Sequence, residues 1–97
     1  MAYVVIARWI ALAGSEQLVL DTISELTPLS RAEPACRSYQ ACRSLENPRE
    51  FLLFEVYDDE AGYRAHIDSE HFQQLGFGRA IPALEERQRS FYETIEP

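Results

Sequence analysis

The chain has 97 residues and 11.2 kDa, which predicts one domain over residues 1–97 and leaves no room for a second independent core. Apolar residues make up 46% and charged residues 26%, ordinary values for a folded chain. The net charge of −7 argues against nucleic acid or an anionic membrane as partner, and no run approaches the roughly 18 apolar residues of a membrane helix.

All nine basic residues are arginine, so lysine nucleophiles and Schiff bases are excluded. Ala11-Leu12-Ala13 imitates a signal-peptidase site, but no basic segment precedes it and Arg8 interrupts the apolar stretch. The cytoplasm is the expected compartment.

Tyr3 to Ile10 is a β-branched and aromatic run and predicts a first strand. Gly14-Ser15 ends it, with Ser15 a helix N-cap and Glu16 favourable in the first turn. Val19, Ile23 and Leu26 then recur at helical spacing, joined by Leu18, Thr22 and Leu29. Pro28 should kink or end this helix, and Glu33-Pro34 stops it. Ala35 to Ser44 predicts a second strand. At about 3.3 Å per residue, its Cys36 and Cys42 lie about 20 Å apart, too far for a disulfide, and both read as small buried side chains.

Asn47-Pro48 marks a turn into a third strand, Phe51 to Tyr57. Asp58 is the expected cap of a short helix over about Asp59 to Ile67. Asp68-Ser69 restarts a helix through Phe72 and Leu75, and Gly76-Phe77-Gly78 breaks it, either as an access flap or as a plain helix stop. Ile81 to Glu86 predicts a further turn, and Arg87 to Ile95 a fourth strand.

The order β-α-β-β-α-β predicts an α+β, ferredoxin-like split βαβ fold, with a four-stranded antiparallel sheet and helices on one face. Both faces of its strands are apolar: Phe51, Leu53 and Tyr57 oppose Leu52, Phe54 and Val56, and Tyr3, Val5, Ala7 and Trp9 oppose Val4, Ile6 and Ile10. Helices cover one face only, and a bare apolar face is seldom left in water. A homodimer in which two sheets stack is therefore expected, the alternative being a monomer whose C-terminal segment covers the second face.

Both histidines, His66 and His71, lie in His66-Ile67-Asp68-Ser69-Glu70-His71-Phe72. On a continuous helix, positions five apart diverge by about 140°, although Asp68-Ser69 interrupts the run. No third strong ligand stands beside them, so no metal site and no cofactor is expected. Acid/base work needs one imidazole in a pocket, with Glu55, in the middle of an apolar strand, as its candidate partner. The alternative is that Glu55 pairs with Arg8 or Arg37 on a neighbouring strand. Most of the aromatic residues must be core, and a few can line a flat pocket. No phosphate loop, dinucleotide fingerprint, nucleophile elbow or paired CxxC is present.

Three stretches resemble the antibiotic-biosynthesis monooxygenase (ABM) domain family, small members of the dimeric α+β barrel superfamily. Glu33-Pro34-Ala35-Cys36-Arg37-Ser38-Tyr39 is similar to the family's Glu-Pro-Gly-Cys-x-x-Tyr, with Ala35 for the usual Gly. Phe51 to Tyr57, with Glu55, is similar to Phe-x-x-x-Glu-x-Trp, with Tyr57 for the usual Trp, and His66 to Phe72 to His-x-x-Ser-x-His-Phe. Haem-degrading relatives use an Asn on the first strand and a Trp on the later helix. Arg8 and His66 stand near those positions here, which speaks against haem breakdown.

The resemblance implies a homodimer with a pocket between sheet and helices in each subunit. It also implies a cofactor-independent monooxygenase acting on a small aromatic, phenolic or quinol substrate with O2. His66 or His71 would be the base, Glu55 its partner, and Arg8, Tyr39, Tyr57, Tyr63 and Phe72 the substrate-binding set. The alternatives are an isomerase or other proton-transfer enzyme on a small oxygenated metabolite, as in relatives that process a phosphorylated autoinducer-2 sugar, and a non-catalytic small-molecule-binding dimer.

Overall fold

The structure is a computed structural model and describes residues 1–96. β1 (Tyr3–Ala11) is followed by helix α1 (Glu16–Arg31), the hairpin β2 (Cys36–Arg43) and β3 (Glu50–Tyr57), helix α2 (Glu60–Asp68), a π-helix (Phe72–Ala80), a 3-10 turn (Ile81–Ala83) and β4 (Leu84–Glu93). The four strands form one antiparallel sheet in the order β2-β3-β1-β4, the expected split-βαβ arrangement. Among the described residues no helix is long and apolar enough to cross a membrane.

Each strand alternates between two faces. On the odd-numbered side of β1, Ala7, Trp9 and Ala11 pack with Phe51 and Leu53 of β3 against Val19, Ile23 and Leu26 of α1 and against Phe72, while Val5 packs with Tyr57 and Tyr63. Leu18 and Leu29, expected in this stripe, are exposed, because they lie at its two flanks. Pro28 neither ends nor stops α1: the helix runs on to Arg31, and the Pro28 carbonyl accepts the Ala32 N–H. Gly14, with φ of +88°, makes the tight turn into α1 that a side chain would strain. The α2 cap is Asp59, not Asp58, and its side chain accepts the Gly62 N–H at 2.9 Å.

Two other expectations change. Gly76-Phe77-Gly78 is neither break nor flap but lies inside the π-helix, where a Cβ on Gly76 would sit 2.8 Å from the Phe72 ring. Cys36 is half-buried and Cys42 exposed, since β2 is an edge strand with helix cover on one side only.

The other sheet face carries Val4, Ile6, Leu52, Phe54, Val56 and Tyr92, with Leu52, Phe54 and Tyr92 exposed by 37%, 39% and 56%. Among the described residues the C-terminal segment does not cover them. β4 ends at Glu93 beside β1, and Ile95 is open to solvent.

Gly62 explains the alanine at position 35. A Cβ on Gly62 would meet the Ala35 Cβ at 2.7 Å, so one of the two positions must lack a side chain for α2 to close on the loop before β2. Gly62→Ala should therefore destabilise the fold by about 1–3 kcal/mol despite its better helix propensity, and Ala35→Gly should recover most of that loss. Urea unfolding of the four proteins of this cycle checks it; additive effects would refute the contact.

Candidate functional site

The site assembles where α2, the loop after α1 and the helix-facing side of the sheet meet. Ser69 makes this convergence. Its backbone turns extended, its hydroxyl donates to the His66 carbonyl at 2.6 Å, and the same oxygen accepts the Phe72 N–H at 3.2 Å. Ser69 so ends one helix and caps the next, and the break returns His71 toward His66 despite their spacing.

Glu33 stands between the two imidazoles. Its Oε2 lies 2.8 Å from His66 Nδ1 and 2.5 Å from His71 Nε2. A carboxylate only accepts, so each of these nitrogens carries a proton toward it. His66 is 1% exposed, and its Nε2 has no hydrogen-bond partner but lies 3.8 Å from Glu55 Oε1. The Oε1 of Glu33 is likewise buried without a partner.

Glu55, 4% exposed, accepts the Tyr57 hydroxyl at 2.7 Å. Burial raises its pKa, with the neighbouring His66 and the Tyr57 hydrogen bond pulling the other way. Burial and the Glu55 charge also push the Tyr39 and Tyr57 phenols upward, so both stay protonated; Tyr57 donates to Glu55, and the Tyr39 hydroxyl is buried without a partner. The rings of Tyr39, Tyr57, Tyr63 and Phe72 surround His66, Phe72 with its centroid at 4.7 Å.

The fold thus brings together His66, His71, Glu55, Tyr39, Tyr57, Tyr63 and Phe72. Arg8 is the exception. Strand alternation turns it to the opposite face, where it pairs with Glu50 and Glu86. Arg37 pairs with Asp58, so neither arginine is the partner of Glu55. The cations on the site side are Arg87 and Arg89, which the β4 register places beside Trp9 and Ala7. The placing of Arg89 and Phe91 on one face of the last strand was the available signal for them. Glu33 was legible only as part of the Glu33-Pro34 motif, because a loop residue has no periodicity that shows where it points.

Between sheet and helices the space is nearly closed. A void of about 10 Å³, room for one water molecule, is lined by Trp9, Glu55, Tyr63, His66, Phe72, Arg87 and Arg89. Beside it an open groove of about 390 Å³ runs along Tyr3, Tyr63, Phe91 and Arg89. Tyr63 and Arg89 line both, and the Arg89 guanidinium donates to the Tyr63 hydroxyl at 3.0 Å.

A family model described as "Antibiotic biosynthesis monooxygenase" matches residues 2–75. Among solved structures, one described as an antibiotic biosynthesis monooxygenase is 23% identical with a TM-score of 0.90, covering 97% of this chain and 99% of its own. PA3566 from Pseudomonas aeruginosa is 25% identical with a TM-score of 0.89, covering 98% and 95%. Rv0793 from Mycobacterium tuberculosis is 21% identical with a TM-score of 0.90, covering 100% and 98%. At such identities the likeness of structures establishes the fold. No curated protein matches significantly.

The buried Glu55 gives the site a pH signature. With its pKa raised above the ordinary 4.5, the folded chain holds a proton that the unfolded chain has released, so stability falls as pH climbs above 4.5 until Glu55 ionises in the folded chain as well. Glu55→Gln keeps an acceptor for Tyr57 and removes this loss. The variant should gain stability relative to the wild type as pH rises above 4.5, by urea unfolding across a pH series; parallel curves would contradict the assignment.

Proposed function

The chain belongs to the antibiotic biosynthesis monooxygenase family, and on that premise we propose that it oxidises a small phenolic or quinol substrate with O2, using His66 as general base and no bound cofactor. The observation that carries this reading is the Glu33–His66 pair. Glu33 accepts the Nδ1 proton, which fixes the tautomer and leaves the lone pair on a buried Nε2 at the edge of a void. A carboxylate behind an imidazole also steadies the imidazolium that forms when the ring takes a proton.

The substrate ring lies in the groove against Tyr3, Tyr63 and Phe91, and Tyr63 and Arg89 move aside to join groove and void. Nε2 removes a phenolic proton, and the Arg87 and Arg89 guanidiniums stabilise the resulting anion. The electron-rich ring then reduces O2. One oxygen atom enters the product, the other leaves as water, and all four electrons come from the substrate, so no external reductant is required. His71 holds Glu33 in place rather than meeting the substrate.

The exposed apolar sheet face supports a second part of this reading, a homodimer formed by two such faces. Wild type should sediment at twice 11.2 kDa, and Phe54→Arg, at a surface position, should give a folded monomer. A folded wild-type monomer at micromolar concentration would remove this proposal.

The small void favours one other reading, a binding module that holds an aromatic ligand without chemistry. Oxygen consumption against a panel of hydroquinones and anthrones separates the two. The enzyme reading expects turnover that falls at least about 100-fold in His66→Ala and about 10-fold in Arg89→Ala. Binding of the same compounds with no oxygen uptake would establish the module instead.

A further inference from the structure

We infer that Glu33, His66 and His71 form a binding site for a divalent transition metal of the zinc type, with Glu55 as the outer carboxylate behind His66. The three groups come from the loop after α1, from α2 and from the turn after α2, yet their ligand atoms all lie within 4.8 Å of one another. Two imidazoles and one carboxylate suit zinc and its first-row neighbours better than calcium or magnesium, which prefer all-oxygen sites.

Of the six buried side-chain polar atoms without a partner among the described residues, two belong to this cluster, Glu33 Oε1 and His66 Nε2. A metal gives the Glu33 oxygen a partner directly and bears on His66 Nε2 only through the tautomer. Glu33 can then use its second oxygen as well. A metal on Nδ1 of His66 also requires the ring proton to sit on Nε2, where Glu55 Oε1 faces it at 3.8 Å. A ligating histidine whose second N–H points at a carboxylate is the usual outer arrangement of such sites. The ring of His71, 21% exposed, sends its displaced proton toward solvent. On binding, each imidazole offers the lone pair of its Glu33-facing nitrogen and carries its proton on the other.

The present contacts of Glu33 Oε2, 2.8 Å to His66 and 2.5 Å to His71, are shorter than the roughly 3.3 Å that separates ligands of a tetrahedral zinc. Glu33 must draw back by roughly half an ångström. It lies between α1 and β2, outside both elements. Occupancy also removes the lone pair of His66 Nε2, so zinc would inhibit any reaction in which that atom is the base. The binding itself does not depend on such a reaction.

The test uses Co2+ as a visible probe and Zn2+ as competitor on chelator-treated wild-type protein. The expected result is one Co2+ per chain, a visible d–d absorption that Zn2+ abolishes, and a loss of affinity of at least tenfold in each of Glu33→Gln and His71→Ala. Glu55→Gln should weaken Zn2+ by about 10- to 100-fold without abolishing binding. His71→Ala, at a partly open ring, carries the test if Glu33→Gln fails to fold, with circular dichroism as the control. No stoichiometric Zn2+ binding below about 100 µM, or binding unchanged in His71→Ala, would overturn the site.

Discussion

A single carboxylate holds the centre of this molecule together. Glu33 takes hydrogen bonds from two imidazoles that the chain would otherwise send in different directions, and it does so where His66 is almost fully shielded from water. Charge-assisted hydrogen bonds are strong in such surroundings, and a buried charge without them is costly. The loop after α1, α2 and the turn after it are thus fastened at one point. Packing alone would not fix which nitrogen of each histidine faces inward; the shared acceptor does.

Around that point the protein accepts several energetic costs at once. Glu55 is a carboxyl in an apolar strand, partly offset by the Tyr57 hydroxyl. Arg87 is half-buried beside Arg89, and both burial and its neighbour's charge lower its pKa. Glu33 and His66 each keep a polar atom without a partner. These costs are not scattered through the core but gathered around one void and one aromatic groove. The closed wall formed by Tyr63 and Arg89 is held by one hydrogen bond and aromatic stacking, contacts weak enough to open.

The opposite sheet face has a different character. It is apolar in the middle and charged at one end, where Arg8 bridges Glu50 on β3 and Glu86 on β4. The sheet therefore separates two tasks. One side holds buried polar groups inside a shell of aromatics, and the other presents hydrophobic surface.

The sequence by itself determined the element order and which strand residues share a face, because period-2 and period-3.6 patterns are local and survive without knowledge of the fold. It also showed that His66, His71 and Glu55 were unusual, since polar groups in apolar runs stand out. Arg8 was misplaced because a family position gives nearness in sequence, whereas strand alternation gives the side of the sheet. Gly76 and Gly78 were read as a break because glycine is a poor helix former, yet the space taken by the Phe72 ring makes glycine the residue that fits. Only the tertiary structure decided that Glu33 joins the two histidines and that Arg87 and Arg89 are the cations beside them. Those contacts span 33 and 38 residues for Glu33 and cross strands for the arginines, and no local pattern encodes where two distant segments meet.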